Sequence, residues 1–239
     1  MPLSKISLNL LRAFDASARH LSFTKASKEL FVTQAAVAHQ VKSLLHVGVV
    51  GTFALGFLLE RMDSFHAKHP HILVKIQVNN NVPDLLNEHL DFAIRFGAGA
   101  WLAQSSELLM SAPLSPLCNA KTANHLKKPE DLANFALLRS HRKNEWAKWF
   151  EVCGKTDIDA SGTIFDNSRA IADAAKLGLG VGLLPYNMFS AEIEDGLLIK
   201  PFSQEVHAGS YYLTNLVQRP VSEAMIAFRD WLKSQCTQF

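Results

Sequence analysis

The sequence predicts an α/β protein with a helix-turn-helix at its N-terminus, and three observations carry this prediction. Apolar residues recur at helical spacing in three short segments before residue 45. From His46 onward, short β-rich runs alternate with helical patterns, as in folds with mainly parallel strands. Basic residues collect in the first 45 residues, whereas the rest of the chain is slightly acidic.

The first two predicted helices each have one apolar face. These faces are formed by Leu10, Leu11, Phe14, Ala18 and Leu21 in the first helix and by Phe23, Ala26 and Leu30 in the second. Ser22 is expected to cap the second helix, because a serine oxygen accepts hydrogen bonds from the free N–H groups at a helix start. Two short helices followed by a third are typical of a helix-turn-helix.

The third helix is predicted to begin after Thr33, a good N-cap residue. Val37, Val41 and Leu44 recur at i, i+4 and i+7 and are expected to form its buried face. The other face carries small or hydrogen-bonding residues and one cation, namely Gln34, Ala35, Ala38, His39 and Lys42. Such a face can read base edges in a major groove while a lysine neutralises a phosphate. DNA binding is therefore predicted, and the alternative is a small helical bundle with a solvated basic face.

The charge distribution supports DNA binding by this segment. Residues 1–45 contain six basic and two acidic residues, a net charge of +4, whereas the whole chain carries +2. Residues 46–239 therefore carry −2. A basic head on a slightly acidic body is expected of a protein that binds nucleic acid through one domain.

Length and composition allow one or two domains. With 239 residues, 48% of them hydrophobic, the chain can bury a substantial core. The three cysteines, Cys118, Cys153 and Cys236, are far apart, which argues against a disulfide framework and favours a reducing cytoplasm. The sequence shows no signal-peptide pattern and no apolar run near the ~20 residues of a membrane span, so a soluble cytoplasmic protein is expected.

The body alternates predicted strands and helices. The strand candidates are residues 46–52, 73–79, 91–96, 107–117, 135–140, 162–165, 181–185, 197–202 and 209–214. The helical patterns cover residues 57–68, 144–152, 168–177 and 222–233. The runs 107–117 and 204–214 are candidates for crossovers between two subdomains.

Both parts of the chain resemble one known family. Between Leu8 and Leu44, the blocks RAF, LSFTKA, VTQAAV and QVKSL are similar to the helix-turn-helix of LysR-type transcriptional regulators. From His46 onward, the blocks VGVVGTFALG, IRFGAGAW, LLRSHRKNEW, FDNS and GSYYLT resemble the effector domain of AmpR-type members, which regulate β-lactamase expression. The resemblance implies a regulator, not an enzyme, that binds promoter DNA and a small effector such as a muropeptide.

The resemblance also implies how the chain is divided. Residues 1–45 would form the DNA-binding segment and residues 46–239 a two-lobed effector domain of the type II periplasmic-binding-protein kind. Lobe I would comprise residues 46–112 and 209–239, and lobe II residues 113–208. The effector would bind between the lobes.

One departure from the family pattern lies between Leu45 and His46. Family members have a winged hairpin and a long dimerising linker helix at this point, and both are missing here. Ala38 also occupies a position where the family commonly has serine. The homo-oligomer typical of the family would be weakened by this loss. The alternative function is therefore a ligand-binding module with a non-functional DNA arm, either dominant-negative or an inactive deletion product.

The candidate ligand-binding residues follow predicted strands, because open α/β sheets bind ligands beyond the carboxyl ends of their strands. They are Thr52, Asn80, Asp84, Arg95, Asn167, Ser168 and Tyr211. Simpler roles exist for four of them: helix capping for Thr52 and Asp84, a surface ion pair for Arg95 and a core position for Tyr211. The resemblance implies muropeptide binding or response at the positions of Thr52, Asp84, the FDNS segment and Tyr211.

The sequence predicts no metal site, no cofactor and no catalytic residue. His66, His69 and His71 cross a helix end broken by Pro70, so their imidazoles are not expected to converge on a metal ion. The glycine spacings lack the full pattern of a nucleotide loop, and no G-x-S-x-G occurs. The basic run RSHRKNEW, residues 139–146, is expected to be a solvated surface, with anion binding as the minor alternative.

Overall fold

The body consists of two lobes, each built around its own sheet. The computed structural model describes residues 8–34, 36–37, 43–79, 85–86, 88–142, 144–156 and 162–237. The strands are β1 (Ser43–Val50), β2 (Ile72–Asn79), β3 (Phe92–Gly97), β4 (Gln104–Ser111), β5 (Leu114–Leu117), β6 (Leu137–Ser140), β7 (Ile164–Phe165), β8 (Val181–Pro185) and β9 (Ser210–Leu216).

The helices surround these sheets or precede them. They are α1 (Leu8–His20), α2 (Phe23–Glu29), α3 (Gly51–Phe53, Ala54–Leu58, Leu59–Arg61 and Met62–Lys68 in succession), α4 (Ala120–Ala123), α5 (Glu145–Val152), α6 (Ser168–Lys176), α7 (Ser190–Glu194) and α8 (Glu223–Cys236). Two 3₁₀ turns cover Pro129–Asn134 and Tyr186–Phe189. None of the helices described is long and apolar enough to cross a membrane.

The caps predicted in the N-terminal segment are confirmed. The Ser22 hydroxyl accepts a hydrogen bond from the N–H of Lys25 at 3.4 Å at the start of α2. Thr33 Oγ1 accepts from the N–H of Ala36 at 3.1 Å. Gln34, Ala36 and Val37 are helical, so a third helix follows Thr33 as predicted.

The prediction of a buried face on α1 is wrong at three of its five residues, and the side chains of the other two, Leu10 and Leu11, lie outside the described part of the structure. Phe14, Ala18 and Leu21 are exposed, and Phe14 and Leu21 keep 60% and 81% of their surface. The segment instead buries a small cluster of Ala13, Ala16, Ala26 and Val37. Among the described residues of this short segment, α2 and the start of the third helix cover only one side of α1, where Phe23 and Leu30 also pack against the cluster.

The junction between this segment and the body also differs from the prediction. Strand β1 begins at Ser43, so residues 43–45 of the expected DNA-binding segment lie in a sheet. Leu44 is exposed on β1 instead of facing the third helix, and Leu45 is buried in the core of the body. The cause is parallel pairing with β2, in register from Ser43 opposite Ile72, which extends the apolar strand towards its N-terminus. Val41 lies outside the described residues.

Lobe I contains a five-stranded sheet in the order β2-β1-β3-β9-β4. Strand β1 pairs in parallel with β2 and β3. Strand β9, from the C-terminal part of the chain, lies antiparallel between β3 and β4. The lobe is therefore assembled from two distant parts of the sequence.

Lobe II contains a four-stranded sheet in the order β5-β8-β6-β7. Strand β6 pairs in parallel with β7 and β8, whereas the edge strand β5 is antiparallel to β8. One side of the lobe has its own core, centred on the α5 residues Trp146, Trp149 and Phe150. A larger core extends from lobe I into lobe II and includes Phe53, Phe57 and Phe189.

Two strand predictions require correction. The run 107–117 forms two strands in different sheets, β4 and β5, because the chain passes from lobe I to lobe II at Ala112 and Pro113. The run 197–202 forms only an isolated bridge, in which Ile199 pairs with Cys118. Leu197 keeps 53% of its surface and Leu198 is fully buried. This run buries Leu198 and makes one bridge, so its apolar composition reflects side-chain burial and not pairing along a strand.

Helix α3 approaches lobe II most closely at Gly56. This residue lies in the π-helical turn Ala54–Leu58, where a Cβ atom would overlap the main-chain carbonyl of Met188. The absence of a side chain at Gly56 therefore lets α3 pack directly on the 3₁₀ turn that follows β8.

Candidate functional site

A cavity lies between the lobes, at the carboxyl ends of β1, β6, β7 and β8. It is lined by Val50, Thr52, Phe96, Ser140, His141, Arg142, Asp166, Asn167, Ser168, Pro185 and Tyr211. Its volume is about 400 Å³ with its solvent-open mouth included. The position follows the rule that open α/β sheets bind ligands where their strands end.

Thr52 opens α3 on the lobe I side of the cavity and is 4% exposed. The helix N-cap is Val50, which has no side-chain capping bond, so the Thr52 hydroxyl does not cap the helix. Within the part of the chain that the structure describes, this hydroxyl makes no recorded hydrogen bond. Because the Thr52 side chain lines the cavity, its hydroxyl can hydrogen-bond to a ligand there.

Tyr211 closes the same side of the cavity from β9 and is 1% exposed. Its ring packs against Phe53 and Phe96, with centroids 5.0 Å and 5.5 Å away. Burial raises the pKa of Tyr211 and the charge of Arg142 opposes this, so the phenol is neutral at physiological pH and can donate a hydrogen bond. No hydrogen bond of this phenol to another described residue is recorded.

Asn167 and Ser168 contribute from lobe II, and their roles differ. Asn167 caps α6, because its Oδ1 accepts from the N–H of Ala170 at 2.8 Å, and its Nδ2 donates to Asp166 at 2.7 Å. Ser168 occupies the first helical position and is 9% exposed. The Ser168 hydroxyl thus lies at the helix N-terminus, where N–H groups favour an anion.

The structure does not place Arg95 in the lining of the cavity. Its guanidinium lies 4.6 Å from the ring centroid of Trp101 and donates to Gln104 at 3.3 Å. Strand β3 therefore turns Arg95 towards β4 instead of the cleft. The other two predicted ligand residues, Asn80 and Asp84, lie outside the described residues.

Three polar lining residues were not predicted as ligand contacts from the sequence: Ser140, His141 and Arg142. They belong to the basic run that was expected to be a solvated surface. Their place in the cavity could have been inferred from the position of this run, which directly follows a strand and precedes a helix. The same position suggested Asn167 and Ser168.

Only one of the five residues predicted to bind DNA, Gln34, lies in the part of the chain that the structure describes. Gln34 is exposed at the start of the third helix, as base reading requires. Ala35, Ala38, His39 and Lys42 lie outside the described residues. Arg19 is held by Asp15 and Glu29, both at 2.9 Å, so part of the positive charge of this segment is compensated internally.

Two family models match the chain. One, for the bacterial regulatory helix-turn-helix protein of the lysR family, matches residues 8–46. The other, for the LysR substrate binding domain, matches residues 38–237. Together they extend from α1 to the last turn of α8.

Curated relatives match along almost their full length. The HTH-type transcriptional regulator BlaA of Proteus vulgaris is 40% identical, with 96% of each chain covered. A carbapenem-hydrolyzing beta-lactamase transcriptional activator of Serratia marcescens is 39% identical, with 96% of this chain and 97% of that protein covered. The match to BlaA spans 281 residues, which exceeds the 239 residues of this chain by 42, so BlaA has at least that many positions that this chain lacks.

Solved structures match the body. The effector domain of AmpR from Pseudomonas aeruginosa is 42% identical with a TM-score of 0.80, over 82% of this chain and 96% of that one. A Citrobacter freundii effector binding domain with one Thr→Val, one Ser→Ala and one Tyr→Phe substitution is 36% identical with a TM-score of 0.79, over 81% and 99%. With a helix-turn-helix joined to a two-lobed effector domain, this chain belongs to the LysR family of bacterial transcriptional regulators.

Proposed function

We propose that this chain is an AmpR-type regulator of β-lactamase expression that acts in the cytoplasm and responds to a peptidoglycan-derived muropeptide. The observation that supports the proposal is the interlobe cavity, which Thr52 and Tyr211 line from lobe I and Ser168 lines from lobe II, each with a hydroxyl group. Hydroxyls and amides are suited to the amide and sugar groups of a muropeptide. Threonine, serine and tyrosine are also the residue types replaced in the Citrobacter freundii variant.

The regulatory mechanism is a shift between lobe arrangements. The cavity leaves little room between the lobes, and a sugar-peptide would select a more open arrangement of them. A ligand shifts such an equilibrium only by its differential affinity for the two arrangements. Contacts with hydroxyls on both lobes supply that difference, since they can form together at only one separation of the lobes.

Removal of the Thr52 hydroxyl is expected to weaken ligand binding without affecting the fold. Thr52→Val keeps the shape of the side chain and breaks no recorded protein hydrogen bond, so the midpoint of urea unfolding should stay within error. The Kd for N-acetylmuramoyl-L-alanyl-D-glutamate should rise about tenfold, the effect of one lost hydrogen bond. Isothermal titration calorimetry measures this. Thr163→Val, at an exposed residue, is the control, and equal Kd values for both variants would contradict the proposal.

The DNA-binding part of the proposal rests on the third helix. Gln34, Ala35, Ala38 and His39 would contact bases, and Lys42 would contact a phosphate. Lys42→Ala should reduce the slope of log Kd against log salt for a β-lactamase promoter fragment by about one, since one phosphate contact is lost. Gel-shift titrations at several salt concentrations measure the slope. If Lys42→Ala and the control Lys148→Ala give the same slope as the wild type, Lys42 is not at the interface.

A second candidate function is a ligand-binding module with a non-functional DNA arm. Two observations favour it. BlaA has at least 42 positions that this chain lacks, and few residues separate Val37 from the start of β1 at Ser43. Residues 38–42 cannot supply both a wing and a dimerising helix. LysR-type binding needs two arms at half-site spacing, so loss of the helix removes bivalency. A monomer in sedimentation that retards no promoter fragment at physiological salt would establish this second function.

A further inference from the structure

Arg142 is a lobe II residue whose guanidinium lies against lobe I. Its Cζ is 4.4 Å from the centroid of the Phe96 ring on β3. A cation over an aromatic face is attracted by the ring, and the attraction strengthens when both groups lose water. Arg142 therefore joins the two lobes across the cavity that both residues line.

A network on lobe II holds this guanidinium in place. Nε of Arg142 donates to Glu145 Oε1 at 2.8 Å. The other carboxylate oxygen accepts from the Ser140 hydroxyl at 2.6 Å, and Ser140 Oγ accepts from the main-chain N–H of Arg142 at 3.0 Å. Glu145 is 7% exposed, and a carboxylate this buried is stable only when it is paired and hydrogen-bonded. The cation is thus built into the lobe and is not a loose surface side chain.

The network leaves the outer nitrogens of Arg142 available. Among the described residues, the recorded hydrogen bonds and ion pairs of its side chain involve Nε alone. Across the cavity lie Thr52 and Tyr211, whose hydroxyls also make no recorded hydrogen bond. The charge of Arg142 is close enough to Tyr211 to oppose the effect of burial on the phenol. The two guanidinium nitrogens form a fork that matches the two oxygens of a carboxylate.

We propose that Arg142 binds a carboxylate of the ligand and sets the preference of this site for anionic ligands. Because the same guanidinium lies on Phe96, carboxylate binding is coupled to the separation of the lobes. A carboxylate that draws Arg142 into the cavity weakens the contact of the guanidinium with the ring and so favours the more open arrangement of the lobes. Glu145 acts through Arg142 and is a positioning residue. The inference rests on the proposed function, since it takes a muropeptide as the occupant.

The test compares an acidic ligand with its neutral counterpart. The full chain is titrated calorimetrically with N-acetylmuramoyl-L-alanyl-D-glutamate and with the same compound carrying both glutamate carboxyls as amides. The wild type should bind the acid at least tenfold more tightly than the diamide. Arg142→Gln should bind both compounds equally, and Arg142→Lys should keep part of the preference as a point charge. Lys148→Gln, a change of equal charge on the exposed side of α5, should leave the ratio unchanged.

The variants must also remain folded for the comparison to hold. Arg142→Gln leaves the buried Glu145 carboxylate without its cation, so the double variant Arg142→Gln with Glu145→Gln provides a neutral, hydrogen-bonding pair as a second measurement. Its far-ultraviolet circular dichroism should match the wild type and its acid-to-diamide ratio should be one. If the double variant keeps the acid-to-diamide preference of the wild type, the role of Arg142 is overturned, but the muropeptide assignment is not. Failure of the wild type to bind either compound would overturn the muropeptide assignment, and this inference with it.

Discussion

Replacement of Trp149 by alanine is expected to lower the free energy of unfolding by about 4 kcal/mol. Trp149 is fully buried on α5, at the centre of the separate core of lobe II. Its ring contacts Trp146, Phe150 and Phe202 at centroid distances of 6.1, 5.4 and 5.6 Å. Truncation removes these contacts and leaves a cavity that neighbouring aromatic rings cannot fill without leaving their rotamers.

Part of this loss is a hydrogen bond that joins distant segments. Nε1 of Trp149 donates to the carbonyl of Gln204 at 3.0 Å. Trp149→Phe keeps most of the aromatic ring but loses this donor, so the free energy of unfolding is expected to fall by about 1–2 kcal/mol. Val152→Ala, on the same helix at a residue with 55% of its surface exposed, should change the free energy by less than about 0.5 kcal/mol.

Urea unfolding followed by circular dichroism measures the three variants, because it does not depend on tryptophan fluorescence. The order Trp149→Ala, then Trp149→Phe, then Val152→Ala is expected for the loss of stability. A loss below about 1 kcal/mol for Trp149→Ala would show that lobe II does not depend on this core.

The second large effect is expected for Gly56→Ala, with a loss of about 3 kcal/mol. A Cβ at this position would overlap the main-chain carbonyl of Met188, and a main chain yields less easily than the end of a flexible side chain. Alanine ordinarily stabilises a helix relative to glycine, so a large loss here has the opposite sign to the propensity effect. The substitution forces α3 away from lobe II.

Gly51→Ala is the matched control at the start of the same helix. Its Cβ would meet only a methyl group of Val78, at 3.3 Å, so a change within about 1 kcal/mol is expected. Thermal unfolding by calorimetry compares the two variants. Equal melting temperatures would mean that the close approach of α3 to Met188 contributes nothing to stability.

Local patterns were sufficient for most elements of the body. Helices α5, α6 and α8 and strands β2, β3 and β8 lie where apolar spacing predicted them, because each buries one stripe or run against a sheet. Apolar spacing gave wrong predictions where burial or strand pairing depends on other parts of the chain. Phe14 has the spacing of a buried residue, but no other described element covers it. Residues 197–202 have a strand-like composition, but they form only the single bridge between Ile199 and Cys118.

The candidate site shows the same division. Thr52, Ser168 and Tyr211 were suggested by their positions in the sequence, since two of them follow strand ends and Tyr211 lies near a crossover. Arg142 was missed because basic runs are usually solvated, and its position depends on Phe96, which is 46 residues earlier in the chain and on the other lobe. No local pattern contains that contact.

The insertion of β9 between β3 and β4 imposes an order on biosynthesis. All strands of lobe II are synthesised before residue 210, whereas β3 and β4 share no neighbour until β9 is made. At about 5–20 residues per second, nascent lobe I therefore presents two unprotected strand edges for several seconds. In this receptor the sheet nearest the start of the chain is the last to be completed.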